Sequence, residues 1–211
     1  MKYKAIQPRP QGWLECQLND KEVSHIWDCI NTARQGSLKH ALVGQVEKSF
    51  EFHDKGNWFF NSVLNDLIKI YGDRYGHEHC RIPTVQQENL RPFLKNIWVN
   101  YQNAGEFNPI HDHGGVYSFA AWLRNPVEYD DQALLPNAKD ASSSLNNTFT
   151  FNYTDLFGSI QTYVYKLGKE NENILLFFPA ILKHAVYPFY ECDTQRISSH
   201  PPPISAQRTL K

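Results

Sequence analysis

Seven short segments rich in β-branched and aromatic residues fill the chain from about residue 95 to residue 199, and turn-forming residues separate them. They are Lys95–Gln102, Val116–Leu123, Thr148–Tyr153, Ile160–Lys166, Asn173–Phe178, His184–Pro188 and Gln195–Ser199. Segments of this length and composition read as strands. Many short strands in succession close into a sandwich or a barrel, because each must bury one face against another sheet. Breaks are expected at Asn103–Pro109 and in the polar loop Asn137–Asn147. The first third reads differently. Asn19 or Asp20 is placed to cap a helix in which Val23, Ile26, Trp27 and Ile30 recur at helical spacing. A second helix is expected from about Asn57 to Tyr71, with Trp58, Val63, Leu64, Leu67, Ile68 and Tyr71 as its buried stripe. The fold class is therefore mainly β with N-terminal helices. A helical support region over 1–90 and a β core over 91–200 form a single domain, 1–211.

Composition narrows the function. With 211 residues, 41% hydrophobic, the chain can bury one sizeable core. A net charge of −1, with the basic residues scattered, gives no footprint for nucleic acid or an anionic membrane. No apolar run of membrane-spanning length is present, and the opening MKYKAIQPRPQGW has no apolar stretch of the secretory kind. Cys16, Cys29, Cys80 and Cys192 form no CxxC pair and read as free thiols in a reducing cytoplasm. No GxGxxG or Walker-type loop occurs, so a nucleotide-phosphate cradle is not expected.

The chemistry-bearing residues lie on the strands. His111 and His113 flank Asp112, and residues i and i+2 of a strand share a face, so both imidazoles can reach one ion. His184 follows the apolar run ILLFFPA and can close the site from a distant strand. Imidazole suits iron, zinc, copper and nickel, so ligand type alone does not choose the metal. His77-Glu78-His79 has the same spacing but sits in a polar stretch with no well-placed third ligand or arginine following, although Cys80 is adjacent, and reads as surface.

The stretches IWVNYQNAGEFNPIHDHGGVYSFAAWL and ILLFFPAILKHAVYPFYECDTQRISSH resemble the 2-oxoglutarate and iron(II)-dependent oxygenases, in particular the prolyl-hydroxylase-like branch and its small bacterial and marine-phage members. The shared pattern is HxD or HxH, a Phe-Pro turn, a histidine, then an arginine opening a final strand. Here these are His111-Asp112-His113, Phe178-Pro179, His184 and Arg196, within about Trp98 to Ser199. The resemblance implies a double-stranded β-helix of jelly-roll or cupin-like form, with Fe(II) as cofactor and 2-oxoglutarate and O2 as cosubstrates. It implies His111 and His184 as iron ligands and Arg196 as the partner of the distal carboxylate of 2-oxoglutarate. A guanidinium forks onto a carboxylate and stays charged when buried. Ser198, two residues on, and Tyr101, ten residues before His111, are carried over as further cosubstrate contacts. The family's usual acid is His113 in this chain, giving three neutral ligands. His113 is the expected third ligand, and a strand bulge bringing in Asp112 is the alternative.

The activity implied is hydroxylation with release of succinate and CO2. A protein or peptide side chain, peptidyl-proline first, is the substrate class expected by analogy. Asp130, Asp131 and Lys139, in loops of the substrate-facing kind, are candidate peptide contacts. The expected setting is the cytoplasm, that of a host for a phage-encoded chain. Two other readings of the residues remain: a cupin-like metal-binding protein with no use for Arg196, and an inactive barrel serving as an interaction module. The terminal Pro201-Pro202-Pro203 reads as an extended segment.

Overall fold

A computed structural model describes residues 1–6, 11–33, 44–77, 90–201 and 204–208. Twelve strands and three α-helices follow one another as β1 (Leu14–Gln17), α1 (Asp20–Asn31), β2 (Lys48–Phe52), α2 (Asn65–Tyr75), β3 (Leu90–Phe93), β4 (Ile97–Gln102), β5 (Asn108–His111), β6 (Tyr117–Arg124), α3 (Tyr129–Ala133), β7 (Thr148–Thr154), β8 (Ile160–Lys166), β9 (Ile174–Pro179), β10 (Lys183–Val186), β11 (Arg196–His200) and β12 (Ser205–Arg208). All strand pairings are antiparallel. A six-stranded sheet has the order β1-β9-β6-β11-β4-β2, a four-stranded sheet β5-β10-β7-β8, and a small ribbon joins β12 to β3. From β4 to β11 the chain passes back and forth between the two larger sheets. This is the double-stranded β-helix that the sequence led us to expect.

The central strands β6 and β9 of the six-stranded sheet are buried on both faces, which explains their near-continuous apolar sequences. On β6, Tyr117, Phe119, Ala121 and Leu123 join a core with Ile26, Cys29 and Ile30 of α1 and with Leu67 and Tyr71 of α2. The alternate residues Ala120 and Trp122 face the other way. They pack with Phe149, Phe151, Leu176, Phe178 and Val186 between the two sheets. The helices thus back the large sheet and the small sheet closes the barrel.

Asn19 caps α1. Its side chain accepts from the Lys21 and Glu22 amides at 3.0 and 3.1 Å, and Glu22 reaches back to the Asn19 amide at 2.8 Å. Such a reciprocal cap is worth about 1 kcal/mol. The second helix departs from a regular α-helix. A 3-10 turn at Lys55–Asn57 leads into a π-helical stretch, Phe60–Leu64, before α2 proper. The helix ends at Gly76, whose φ of 77° is open to glycine at little cost.

The first ninety residues are not only helical. β1 and β2 extend the two edges of the large sheet, opposite β9 and β4. Each is four or five residues long, too short for periodicity to separate from loop. β3 and β12 are unexpected as well, and so is β5, which begins in the anticipated break and delivers His111. His77 is half-buried, with its Nδ1 hydrogen-bonded to the Tyr117 hydroxyl, rather than a surface residue. Glu78, His79, Cys80, Pro202 and Pro203 lie outside the described residues. Among the described residues no helix is long and apolar enough to cross a membrane.

Candidate metal centre

β10 lies between β5 and β7, and this places His184 directly opposite both His111 and Phe151. The β10–β5 register then shifts before Val186 meets Asn108. β5 ends at His111, so His113 is not held by strand pairing. Its amide instead donates to the Ala180 carbonyl at 2.8 Å, in the turn after the apolar run of β9. The three imidazoles meet with ring centroids 4.3, 4.9 and 5.0 Å apart, and one donor nitrogen from each lies within 4.8 Å of the others. Asp112 is placed otherwise: its carboxylate accepts from the Lys183 ammonium at 3.2 Å, on the outer side. Of the two alternatives for the middle of the motif, the structure brings His113 to the cluster.

Two rings are oriented by their backbones. His111 Nδ1 is 2.8 Å from the Pro109 carbonyl and His184 Nδ1 is 2.9 Å from the Leu182 carbonyl. A carbonyl only accepts, so each Nδ1 carries the proton and each Nε2 keeps its lone pair. Phe178, Phe149 and Phe151 surround the His184 ring at 5.0, 5.8 and 6.4 Å and form a dry wall behind it. Burial favours the neutral imidazole. It is the largest cause holding His111 and His184 below their ordinary range and His113 down to about 4, with repulsion between the rings adding to it for His113 and His184. The site therefore offers three neutral nitrogen donors at neutral pH, the donor set of a first-row divalent metal such as iron(II).

The inner face of β11 continues the site into the barrel. Ile197 belongs to the helix-side core, so Arg196, Ser198 and His200 face inward. Arg196 is fully buried. It donates to Gln102 Oε1 at 3.1 Å, to the Tyr187 carbonyl at 3.4 Å and to Asn147 Oδ1, and its guanidinium stacks 4.9 Å from the Phe189 ring centre. All of these acceptors are neutral, and burial pushes the guanidinium down to about 9. Its Nε is buried with no hydrogen-bond partner among the described residues, as is Ser118 Oγ on the inner face of β6. A buried cation with a free donor and only neutral partners is arranged to receive an anion. That fits a dicarboxylate reaching inward from the histidines.

Ser198 Oγ is 2.9 Å from Nε2 of His200. His200 was not singled out in the sequence. The alternation of RISSH puts it on the same face as Arg196 and Ser198, which is the signal that finds it. It is buried and close enough to His111 and His113 for their charge to lower it further, to about 3.

Tyr101 does not reach the site. It faces the helix side, where its ring meets Phe50 at 5.8 Å and the Lys48 ammonium at 4.9 Å, while its neighbours Asn100 and Gln102 point inward. The loops with Asp130, Asp131 and Lys139 are also misplaced for a substrate at the metal. β6 runs away from the metal end and β7 runs back toward it, so the connection between them caps the opposite end of the barrel. There Gln132 holds the Tyr190 backbone at 2.8 and 3.0 Å, and Asn147 holds Arg196.

These shifts carry a pH dependence. A histidine with a lowered folded pKa leaves the unfolded chain binding more protons at acid pH. Stability is then full above the ordinary 6.5 and falls as pH drops toward the folded values, about 4 for His113 and 3 for His200. The metal-free protein is expected to lose on the order of a few kcal/mol between pH 7 and pH 4.5. Urea midpoints at the two pH values measure it. An unchanged midpoint contradicts the buried neutral cluster.

Residues 96–200 match the family model described as "Putative 2OG-Fe(II) oxygenase". No curated protein matches the sequence. Among solved structures, the chain is similar to a prolyl hydroxylase from Trichoplax adhaerens in complex with a hypoxia inducible factor oxygen degradation domain peptide fragment. The two are 12% identical, the match covers 90% of this chain and 83% of that one, and the TM-score is 0.52. A 2OG-Fe(II) oxygenase family oxidoreductase from Burkholderia pseudomallei is 11% identical over 87% of this chain and 78% of its own, with a TM-score of 0.50. At these identities the likeness is one of fold.

Proposed function

The chain belongs to the 2-oxoglutarate- and iron(II)-dependent oxygenases, and we propose that it hydroxylates a protein or peptide side chain, peptidyl-proline first. Its cofactor is iron(II), and its cosubstrates are 2-oxoglutarate and O2. In this reading His111, His113 and His184 hold the metal, and Arg196 and Ser198 take the distal carboxylate of the cosubstrate. The observation that carries it is the pairing of three convergent imidazoles with a buried, anion-seeking arginine on the inner face of one barrel.

When bound, the metal and cosubstrates supply an oxidant: 2-oxoglutarate becomes succinate and CO2, and an oxygen atom enters a substrate C–H bond. The side chains position and shield. Three neutral imidazoles leave the double charge of the ion uncompensated, which favours an anionic ligand; the near carboxylate of a diacid would offset part of that charge and leave the far one for Arg196. Arg196 fixes the far end of that ligand with paired N–H donors. In the tautomer with the proton on His200 Nε2, that nitrogen donates to Ser198 Oγ and the serine proton is free for the carboxylate.

A peptide substrate is supported by the rim. The β7–β8 hairpin extends past Phe151, and hence past His184, toward the metal end. Trp13 packs there on Phe151 at 4.5 Å, Tyr163 at 5.1 Å and Tyr153 at 6.1 Å. Tyr153 and Tyr163 are 39% and 48% exposed, and the tip adds exposed Leu156, Phe157 and Ile160. Exposed ring faces beside the metal suit a flat, apolar pyrrolidine and an extended backbone. The Trichoplax relative was solved with a peptide, and the same kind of ligand is proposed for this chain.

The test is succinate formation by the iron-loaded protein offered proline-containing and proline-free peptide pools. Stimulation confined to proline-containing peptides, with the product heavier by one oxygen atom, is expected. Equal turnover with both pools and no modified peptide contradicts the peptidyl-proline assignment.

A further inference from the structure

Away from the barrel, an imidazole nitrogen of His25, the thiol sulfur of Cys29 and a carboxylate oxygen of Asp54 lie within 4.8 Å of one another. His25 and Cys29 are four residues apart on α1 and so share a face. Asp54 comes from the turn that follows β2. The Nε2 of His25 is 2.7 Å from Asp54 Oδ1 and 3.4 Å from Cys29 Sγ. Both contacts use the same ring nitrogen. An acid–base–nucleophile relay uses the two different nitrogens of its histidine, so this is not such a relay. If Nε2 carries a proton and gives it to Asp54, it has no lone pair left for the thiol proton; if it carries none, its lone pair faces those of the carboxylate. A metal ion serves the three donor atoms together.

The surroundings hold the three groups in place. The Phe59 and Phe60 amides donate to Asp54 Oδ1 and Oδ2 at 3.0 and 2.8 Å. The Lys55 backbone N–H faces the Cys29 sulfur and works against the upward push of burial on the thiol. Trp58 packs on the His25 ring at 4.8 Å. Backbone N–H groups on a carboxylate and a thiolate are the usual outer support of metal ligands. Cys29 is 2% exposed and the Asp54 side chain 3%, whereas the His25 side chain is 18% exposed and leaves a path to solvent.

We propose that His25, Cys29 and Asp54 form a second divalent-metal site, of the zinc class and distinct from the barrel histidines, that clamps α1 to the turn after β2. A sulfur, a nitrogen and an oxygen suit zinc, which accepts all three, and disfavour calcium and magnesium, which take oxygen. A water reaching in beside His25 completes four-coordination. Binding expels the thiol proton, so affinity rises with pH.

Cobalt(II) is the probe, because its bond to a thiolate gives a near-ultraviolet charge-transfer band that imidazole and carboxylate do not give. Titration of the metal-free full-length chain is expected to produce this band. Cys29→Ser is expected to abolish it, while the same change at Cys16, Cys80 or Cys192 leaves it intact. His25→Gln leaves the buried thiol in place, and is expected to weaken cobalt binding at this site by at least ~10-fold with an unchanged circular dichroism spectrum. A chain saturated with cobalt that shows no thiolate band overturns the proposal. So does a band that survives Cys29→Ser, or a His25→Gln variant that is folded and binds as before. The barrel site has no sulfur among its three histidines, so these outcomes leave the oxygenase reading untouched.

Discussion

His184→Ala is expected to lower iron(II) affinity by more than ~100-fold, the largest single effect on the barrel site. His184 is the most enclosed of the three ligands, at 2% exposure, and its Nδ1 is already committed to the Leu182 carbonyl. Its ring is also the one around which the other two are assembled, by direct pairing with His111 and by packing on Phe149, Phe151 and Phe178. Anaerobic equilibrium dialysis measures the loss. Asp112→Ala is the matched control. Its ion pair with Lys183 is solvent-exposed, and such pairs are worth about 0–1 kcal/mol. Iron affinity should therefore change by less than ~5-fold in that variant. A large loss in Asp112→Ala with a small one in His113→Ala would give the third ligand position to the carboxylate instead.

Arg196→Ala has the second largest effect, and it falls on the cosubstrate. Removing a charge-assisted, forked contact costs about 3 kcal/mol, or roughly 100-fold in 2-oxoglutarate affinity. Iron affinity should hold, because Arg196 lies deep along β11 and touches none of the three histidines. Folding stability should fall as well, since Gln102, Asn147 and the Tyr187 carbonyl each lose a buried donor at about 1–3 kcal/mol apiece. The two effects separate the possible roles of the arginine. A variant that is less stable but binds 2-oxoglutarate normally would make Arg196 a structural plug of the barrel's closed end.

The β core was legible because its strands are short, apolar and punctuated, and the helix α1 because its cap and apolar stripe agree. Side-chain direction was legible only where something fixed it. β4 is buried on both faces, so the pattern of IWVNYQ does not say which residues look inward. The resemblance alone places Tyr101 at the cosubstrate, the strand's own pattern offers no check on it, and the structure turns it to the helices. β11 is equally buried, but its one apolar residue, Ile197, marks the helix side and so puts Arg196, Ser198 and His200 on the inner face. Followed one step further, the same alternation reaches His200. β5 was hidden by Asn108 and Pro109, which read as turn residues, yet an edge strand tolerates proline. The loop around Asp130 and Lys139 looked substrate-facing because strand direction is invisible in sequence. Only the course of β6 and β7 assigns it to the end away from the metal. The His25–Cys29–Asp54 cluster joins a helix to a turn across 25 residues, and no local spacing announces it.

The most direct measurement is an anaerobic titration of the iron(II)-loaded protein with 2-oxoglutarate, followed by the visible metal-to-ligand charge-transfer band of a chelated 2-oxo acid. The account predicts a band that saturates at one 2-oxoglutarate per iron, is lost in His184→Ala and needs far more cosubstrate in Arg196→Ala. Iron bound at one equivalent to the barrel histidines, with no band at any 2-oxoglutarate concentration, would contradict it.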